Sequence, residues 1–263
     1  MGSASTQALG TVVAALDAET TIDLETAQEL FAAASLIGDS LHLSGALADP
    51  TASLASRARL VSDIFGKSFQ PTTITLLTSV VGQRWSSSAD LVDGIEELAV
   101  RAATVADKRA DVEGELFRVS RIVAENPQLE LALGSRLGDT SAKGALVHKL
   151  LDGRATTATA LIVSSLVQQP RERRVRQLLS RAMEIVSDQR GRTVATVVTA
   201  SPLSLAQQNR LIESLSRRYG SGVSLNQVID PAVMGGLRVQ IADDVIDGSI
   251  ASRLADLRQK LAG

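Results

Sequence analysis

Apolar residues recur at intervals of three and four positions through residues 1–190, a pattern that predicts amphipathic helices. Two stretches, 68–83 and 155–170, differ because each runs for 16 residues without a charge and is flanked by basic residues. An uncharged helix of that length is typical of the central helix of a bundle, buried on most of its surface. After Arg192 the pattern changes to alternation and to β-branched residues, which predicts strands.

The chain contains an internal repeat with an offset of 86 residues. Glu29-Leu30-Phe31 aligns with Glu115-Leu116-Phe117, and further matches follow without a gap. They are Leu43, Ala46 and Leu47 with Leu129, Ala132 and Leu133, Leu60-Val61 with Leu146-Val147, and Ser79, Val81 and Gln83 with Ser165, Val167 and Gln169. Chance similarity between Leu/Ala-rich helices is the alternative, and the repeated uncharged stretch argues against it. Residues 90–107 end copy one and also begin copy two, so we expect two bundles, 1–105 and 106–190, that share a helix.

Residues 191–263 predict a small domain of β-α-β-β-α order. The predicted elements are a strand over 193–199, a helix from the Ser204/Gln207 capping box to Gly220, strands over 223–228 and 237–241, a short return strand at Val245-Ile246, and a terminal helix with Ile250, Leu254, Leu257 and Leu261 on one face. The predicted fold class is therefore mainly α: two tandem helical bundles that share a helix, followed by a small α+β domain.

The composition of the 263-residue chain excludes several kinds of chemistry. It contains no Cys, and hence no disulfide, thiolate nucleophile or Cys-ligated metal site. Its two His residues, His42 and His148, lie far apart in sequence and leave little room for a multi-His metal site. With 1 Trp, 1 Tyr and 4 Phe, the cores must consist of Leu, Val, Ile and Ala, which favours packed helices.

The net charge of −2 is spread unevenly along the chain. Residues 1–105 carry 5 basic and 12 acidic side chains, residues 106–190 carry 14 and 11, and residues 191–263 carry 8 and 6. An acidic first third argues against a nucleic-acid partner, because phosphate binding needs a basic surface. The N-terminus lacks the features of a signal peptide, and no apolar run reaches the roughly 20 residues of a transmembrane helix. The sequence therefore predicts a cytosolic or peripheral protein.

The polar clusters do not match a catalytic, cofactor or metal motif. Asp243, Asp244 and Asp247 lack the spacing of a calcium loop and fit a hairpin turn and a helix start. Gly235-Gly236 lacks the spacing of a phosphate loop and fits a turn or bulge at a strand start. His42 and His148 have no partner at a recognisable spacing, so both are expected on the surface or in packing roles.

Two further features leave alternatives open. The basic cluster Arg171, Arg173, Arg174 and Arg176 fits the exposed start of a helix, which we favour, or a surface for an acidic partner. Trp85, beside Arg84, fits either an anchor for a partner or a core residue at the end of the buried helix. The residues alone thus indicate a non-catalytic helical interaction protein that holds an amphipathic partner helix in a groove between bundle helices.

The C-terminal sequence resembles a known family. Ile229-Asp230, Val233-Met234, Gly236, the run Val245-Ile246-Asp247-Gly248-Ser249 and Arg253-Leu254 resemble the delta subunit of bacterial rotary ATP synthases, whose mitochondrial counterpart is the oligomycin-sensitivity-conferring protein. Upstream, Leu43-Ser44-Gly45-Ala46-Leu47 resembles the short third helix of the family's N-terminal six-helix bundle. The two bundles of this chain are similar to the long delta subunits of actinobacteria.

The resemblance implies a stator subunit of the proton-driven ATP synthase, with no cofactor, on the cytoplasmic face of the cell membrane and attached to that membrane only through partners. In the family, a groove between the first and fifth helices holds an N-terminal segment of an alpha subunit, and the C-terminal domain holds the b subunit. The implied alpha-binding residues are Leu9, Val12, Val13, Leu16, Ile74, Leu77 and Val81. The implied b-binding residues are Ile250, Leu254 and Leu257.

The duplication leads to a further hypothesis, that both grooves bind an alpha segment. The alternative to the stator is a general helical adaptor, which would bind amphipathic helices without co-purifying with ATP synthase. An enzyme with an unrecognised site is a remote third reading, and such a site would be a deep polar pocket with perturbed titratable groups.

Overall fold

A computed structural model describes residues 2–135, 139–171, 173–220, 222–233, 235–241 and 244–248. The chain forms two compact units, residues 1–185 and residues 186–263. The boundary between the units falls five residues before the predicted one at 190/191. The boundary at 105/106 remains a prediction, because both bundles belong to the first unit.

The first unit is built from helices. Their bounds are α1 Ser3–Ala18, α2 Leu24–Gly38, α3 Leu41–Ala48, α4 Leu54–Phe65, α5 Pro71–Gly82, α6 Ser88–Ala106, α7 Val112–Glu125, α8 Pro127–Gly134, α9 Thr140–Leu151, α10 Thr157–Gln168 and α11 Val175–Gln189, of which α11 runs past the boundary. Ser and Asp side chains cap most of the N-termini, for example Asp23 before α2 and Ser87 before α6. Pro71 opens α5 at a position where its missing N–H costs no hydrogen bond.

The 86-residue repeat is present in the helices. Both bounds of α3, α4 and α5 recur, shifted by 86, as the bounds of α8, α9 and α10. Helix α6 is the sixth helix of the first copy and, at the same offset, the counterpart of α1 in the second copy. The predicted class of two tandem bundles that share a helix is therefore confirmed.

The shared helix α6 lies at the centre of the first unit. Leu91, Val92 and all residues from Gly94 to Thr104 are buried. Helices α1, α2, α3, α5 and α10 all pack against it. Because neighbours from both copies cover α6, the two bundles have a common core in place of a linker.

The second unit contains a four-stranded sheet and one described helix. Its elements are β1 Arg192–Thr199, α12 Leu205–Tyr219, β2 Gly222–Ile229, β3 Leu237–Ile241 and β4 Asp244–Asp247. The strand order is β2-β1-β3-β4, with β1 parallel to β2 and the other two pairs antiparallel. Leu215 of α12 packs on Ala195, Val197, Val239 and Ile241 of the sheet.

The predicted local signals of this unit are present. Ser204 and Gln207 form a reciprocal capping box, and Gly220 ends α12 with a φ of 70°. Gly235 and Gly236 have φ values of 68° and 80°, as a turn before β3 requires. The predicted terminal helix lies outside the described residues.

Within the described part of the chain, no single helix is both long enough and apolar enough to cross a membrane. Helices α2 and α3 meet the length and composition criteria only as a pair that is bent by 106°.

Candidate partner-binding surfaces

In the first bundle a buried glutamate holds the N-terminus of the uncharged helix α5. The Glu29 carboxylate of α2 accepts hydrogen bonds from the backbone N–H of Gln70 at 3.0 Å and from the Thr73 hydroxyl at 2.5 Å. Backbone amides in the first turn of a helix have no partner within the helix, and the helix dipole favours a negative charge there. Glu29 thus fixes the position of α5 relative to α2.

The second bundle repeats this contact at the same offset. Glu115 of α7 accepts from the Thr156 amide at 2.9 Å and from the Thr156 and Thr159 hydroxyls at 2.8 and 2.5 Å. Burial raises the pKa of the Glu115 carboxyl, but the hydrogen bonds from Thr159 and Thr156 outweigh it, so the net pKa lies below the ordinary value. Sequence reasoning recorded the repeated Glu-Leu-Phe but did not recognise the role of its glutamate.

The predicted alpha-binding groove is largely part of the bundle core. Helices α1 and α5 are neighbours, as expected. Four of the seven predicted residues are at most 1% exposed, and these are Val12, Leu16, Leu77 and Val81. Leu9, Val13 and Ile74 are half-buried and provide the apolar surface that a partner could touch.

Leu9 lies on the flank of α1 that is turned towards α6. It lines an open depression of about 480 Å³ together with Val100 of α6 and with Leu178 and Ile185 of α11. The α1 surface is therefore wider than a simple groove between α1 and α5.

In the second bundle the positions that correspond to Leu9 and Val13 are covered, whereas Ala160, the counterpart of Ile74, is half-buried beside an open depression. Ile95 and Ala99 of α6 correspond to Leu9 and Val13, and both are 0% exposed. Helix α2 packs on α6 and also touches α10, the counterpart of α5. The hypothesis that both grooves bind an alpha segment does not fit this burial.

Trp85 is a core residue in this chain. It is 5% exposed, its indole Nε1 donates to the Val80 carbonyl at 2.9 Å, and its ring lies against Gly94. A Cβ added at Gly94 would lie 2.3 Å from Trp85 Cη2. Of the two alternatives for Trp85, an anchor for a partner or a core residue, the geometry favours the core residue. The neighbouring Arg84 is exposed.

Most of the basic cluster before and within the start of α11 is paired inside the chain. Arg173 forms an ion pair with Glu96 of α6 at 2.8 Å, and Arg171 pairs with Glu96 and, at 3.6 Å, with Asp93. Arg176 pairs with Glu130 of α8 at 3.0 Å. Arg174 is exposed. The cluster therefore fastens the start of α11 to α6 and α8, a role that neither sequence interpretation included.

The remaining candidates do not assemble into a reactive site. His42 and His148 are exposed. Asp244 of β4 accepts a hydrogen bond from the Tyr219 hydroxyl at 2.9 Å, and burial together with this carboxylate raises the pKa of Tyr219. Among the residues that the structure describes, no three His, Cys, Asp or Glu side chains come close enough to hold a metal ion. Asp243 and the predicted b-binding residues Ile250, Leu254 and Leu257 lie outside the described residues.

Comparisons with known proteins agree over most of the chain. The family model described as ATP synthase delta (OSCP) subunit matches residues 97–261. The chain is 47% identical to the ATP synthase subunit delta of Leifsonia xyli over 265 aligned positions, covering 100% of both sequences. It is 43% identical to that of Streptomyces avermitilis, covering 94% of this chain and 93% of the relative. A chain in the cryo-EM structure of the Toxoplasma gondii mitochondrial ATP synthase hexamer is 20% identical, with a TM-score of 0.38, over 64% of this chain and 97% of that one. The family match and the full-length identities establish that this chain belongs to the ATP synthase delta (OSCP) subunit family.

Proposed function

We propose that this chain is a non-catalytic stator subunit of a proton-driven ATP synthase, which links the catalytic head to the membrane-anchored stalk. The observation that carries the proposal is the 47% identity to an ATP synthase delta subunit over the whole chain. The chain would lie on the cytoplasmic face of the membrane and attach to it through its partners.

The function is mechanical. Proton flow turns the rotor, and the head would turn with it unless it were tethered. Torque drives ATP synthesis only while the attachments of the stator outlast the load, so strong binding at several points is required. A first unit with two bundles packed around one buried helix supplies a stiff body for this purpose, because close-packed interiors deform little.

The proposed partners are two. An N-terminal segment of an alpha subunit would bind the α1–α5 side of the first bundle, where Leu9, Val13 and Ile74 are half-buried. The b subunit would bind the C-terminal unit, where the resemblance points to Ile250, Leu254 and Leu257. Removal of residues 191–263 should then separate the head from the stalk while the head continues to hydrolyse ATP.

Affinity purification of the tagged full-length chain from solubilised membranes tests the proposal. We expect the alpha and b subunits to co-purify with the chain in constant ratio. Recovery of helical proteins unrelated to ATP synthase, without alpha and b, would instead support a general helical adaptor.

A further inference from the structure

A concave depression of about 470 Å³ opens to solvent where the end of α8 meets the start of α11. Gly134 of α8 faces Val175 of α11, since an added Cβ would lie 3.7 Å from Val175 Cγ2. Pro127 and Pro170 also line this α8–α11 depression, and Leu131 in its wall is 75% exposed. Because a proline ring fixes φ, the apolar part of the wall keeps its shape when a partner binds.

The charged side chains that line the α8–α11 depression are three arginines and one glutamate. Arg176 pairs with Glu130 at 3.0 Å, and Arg173 pairs with a glutamate of α6 at 2.8 Å. Arg174 is exposed, and its guanidinium has no ion-pair partner within the described ranges. Glu172, which precedes Arg173, lies outside those ranges. The Arg174 guanidinium is therefore available to a carboxylate from outside the chain.

The first copy has different side chains at the corresponding positions. The 86-residue offset pairs Leu131 with Gly45, Arg173 with Ser87, Arg174 with Ser88 and Arg176 with Asp90. Both copies form the same helices, so the bundle fold does not require the side chains of the second copy. Arg173 and Arg176 fasten α11 through their ion pairs, whereas Leu131 and Arg174 are exposed. Leu131 and Arg174 thus distinguish the second copy without serving its internal packing.

This combination of side chains favours a partner that is both acidic and apolar. A phosphate group or a nucleic acid would bind the arginines and gain nothing from Leu131, because its affinity comes from charge. A purely apolar segment would remove water from the Arg174 guanidinium without replacing the lost hydrogen bonds, which costs free energy. A carboxylate instead accepts two parallel hydrogen bonds from a guanidinium, and an apolar side chain beside it can pack on Leu131.

We propose that the α8–α11 depression of the second bundle binds an acidic segment of another protein. A carboxylate of the segment pairs with Arg174, and a large apolar side chain next to it packs on Leu131 between Pro127 and Pro170. A buried apolar anchor beside a charge pair is the usual centre of a protein interface. The depression shares no residue with the predicted alpha-binding surface, and the inference does not rest on the proposed function.

Site-directed photo-crosslinking of the full-length chain tests the location of this surface. The chain contains no Cys, so Leu131→Cys labelled with a benzophenone maleimide carries the photoreactive group at one position only. Leu41→Cys is the matched control, because Leu41 is 85% exposed in α3, the counterpart of α8. Both substitutions change an exposed side chain, so both chains should fold.

Each labelled chain is irradiated in an extract of the same organism, membranes included, from which the native chain has been removed. Mass spectrometry then identifies the crosslinked peptides. We expect the group at position 131 to crosslink one segment of another protein, rich in Asp or Glu and containing a large apolar residue. The group at position 41 should not crosslink that segment.

Charge reversal tests the role of Arg174. Arg174→Glu, combined with the photoreactive group at position 131, should lower crosslinking to the acidic segment at least about tenfold, because like charges repel across an interface. The variant should fold, since a negative charge at the start of a helix is favourable. Arg154→Glu reverses an exposed charge after α9 in the same bundle and should leave crosslinking unchanged. About 0.5 M NaCl should also lower crosslinking of the parent chain, because salt screens exposed charges.

Three results would overturn the inference: no crosslink from position 131, a crosslinked segment without acidic residues, or crosslinking that Arg174→Glu does not reduce. Crosslinking to a second copy of this chain or to nucleic acid would also overturn it, since either would identify a different occupant. None of these results bears on the stator role, which co-purification of the alpha and b subunits tests separately.

Discussion

The buried carboxylates Glu29 and Glu115 each complete the first turn of a helix that has no charge of its own. Each replaces water as the acceptor for a backbone amide and for a threonine hydroxyl. Such charge-assisted bonds are shorter and stronger than bonds between neutral groups. Each glutamate therefore links the second helix of its copy to the fifth: Glu29 joins α2 to α5, and Glu115 joins α7 to α10.

The Glu115→Gln variant should have a free energy of unfolding about 1–3 kcal/mol lower than that of the wild type at neutral pH, because its side chain accepts the same hydrogen bonds without a negative charge. The folded-state pKa of Glu115 is lowered, so its contribution is complete above the unfolded-state value near 4.5 and is lost as the pH falls through the lower folded value. Amide hydrogen exchange at Thr156, compared in both proteins at pH 7 and at about pH 3.5, measures the effect. A difference that stays constant over this range would contradict the assignment.

Trp85 supports the fold through its ring and its indole N–H. Trp85→Ala should cost about 3–5 kcal/mol, the range for a large aromatic side chain in a core. Gly94→Ala should also destabilise the bundle, because the new methyl group would collide with the ring. Thermal unfolding measures both effects, and Arg84→Ala, which changes the exposed neighbour, is the control. Unchanged stability in Trp85→Ala together with weaker partner binding would show instead that Trp85 is an anchor.

At the scale of elements, acidic residues of α6 fasten α11 and the segment before it to the shared helix. Glu97 is 4% exposed and binds Arg101 at 2.8 Å and Arg181 of α11 at 2.7 Å. Glu96 binds Arg171 and Arg173, whose side chains are 24% and 30% exposed. Burial decides how much each pair contributes, because water and salt screen exposed charges far more than buried ones.

Glu97→Gln should therefore destabilise the first unit more than Glu96→Gln. We expect about 3 kcal/mol for Glu97, because the substitution removes a buried negative charge that pairs with both Arg101 and Arg181, and about 1 kcal/mol for Glu96. Addition of about 1 M NaCl should reduce the effect of Glu96→Gln and leave most of the effect of Glu97→Gln. Thermal unfolding at low and high salt measures this order. Equal costs with equal salt dependence would show that burial does not separate the two pairs.

The sequence pattern predicts the helices and strands. It does not predict which of their faces are covered by other parts of the chain. Helical spacing, the capping box at Ser204 and the repeated Glu-Leu-Phe predict helices, strands and two bundles, because these signals depend on local conformation and on internal similarity. The partners of Arg171 and Arg173 lie on α6, 75 or more residues earlier, and no local pattern connects them. Val13 and Ala99 occupy equivalent apolar positions, yet only Ala99 is fully buried, because α6 packs against helices of both copies whereas α1 packs only against α5 and α6.

At the scale of the whole molecule, sharing a helix has two consequences. The first is stiffness, since α6 belongs to the core of both bundles and leaves no linker between them. The second is asymmetry, since the helix that closes the groove of copy two belongs to copy one. Duplication in this chain therefore lengthens the first unit around one shared core helix.

The most direct test of the stator role measures coupling in membranes. Inverted membrane vesicles, stripped of this chain and then reconstituted with the purified full-length protein, are assayed for ATP-driven proton uptake and for ATP hydrolysis. We predict that proton uptake depends on the added chain and that hydrolysis by the head does not. Proton uptake at full rate without the chain, or hydrolysis that requires it, would contradict the account.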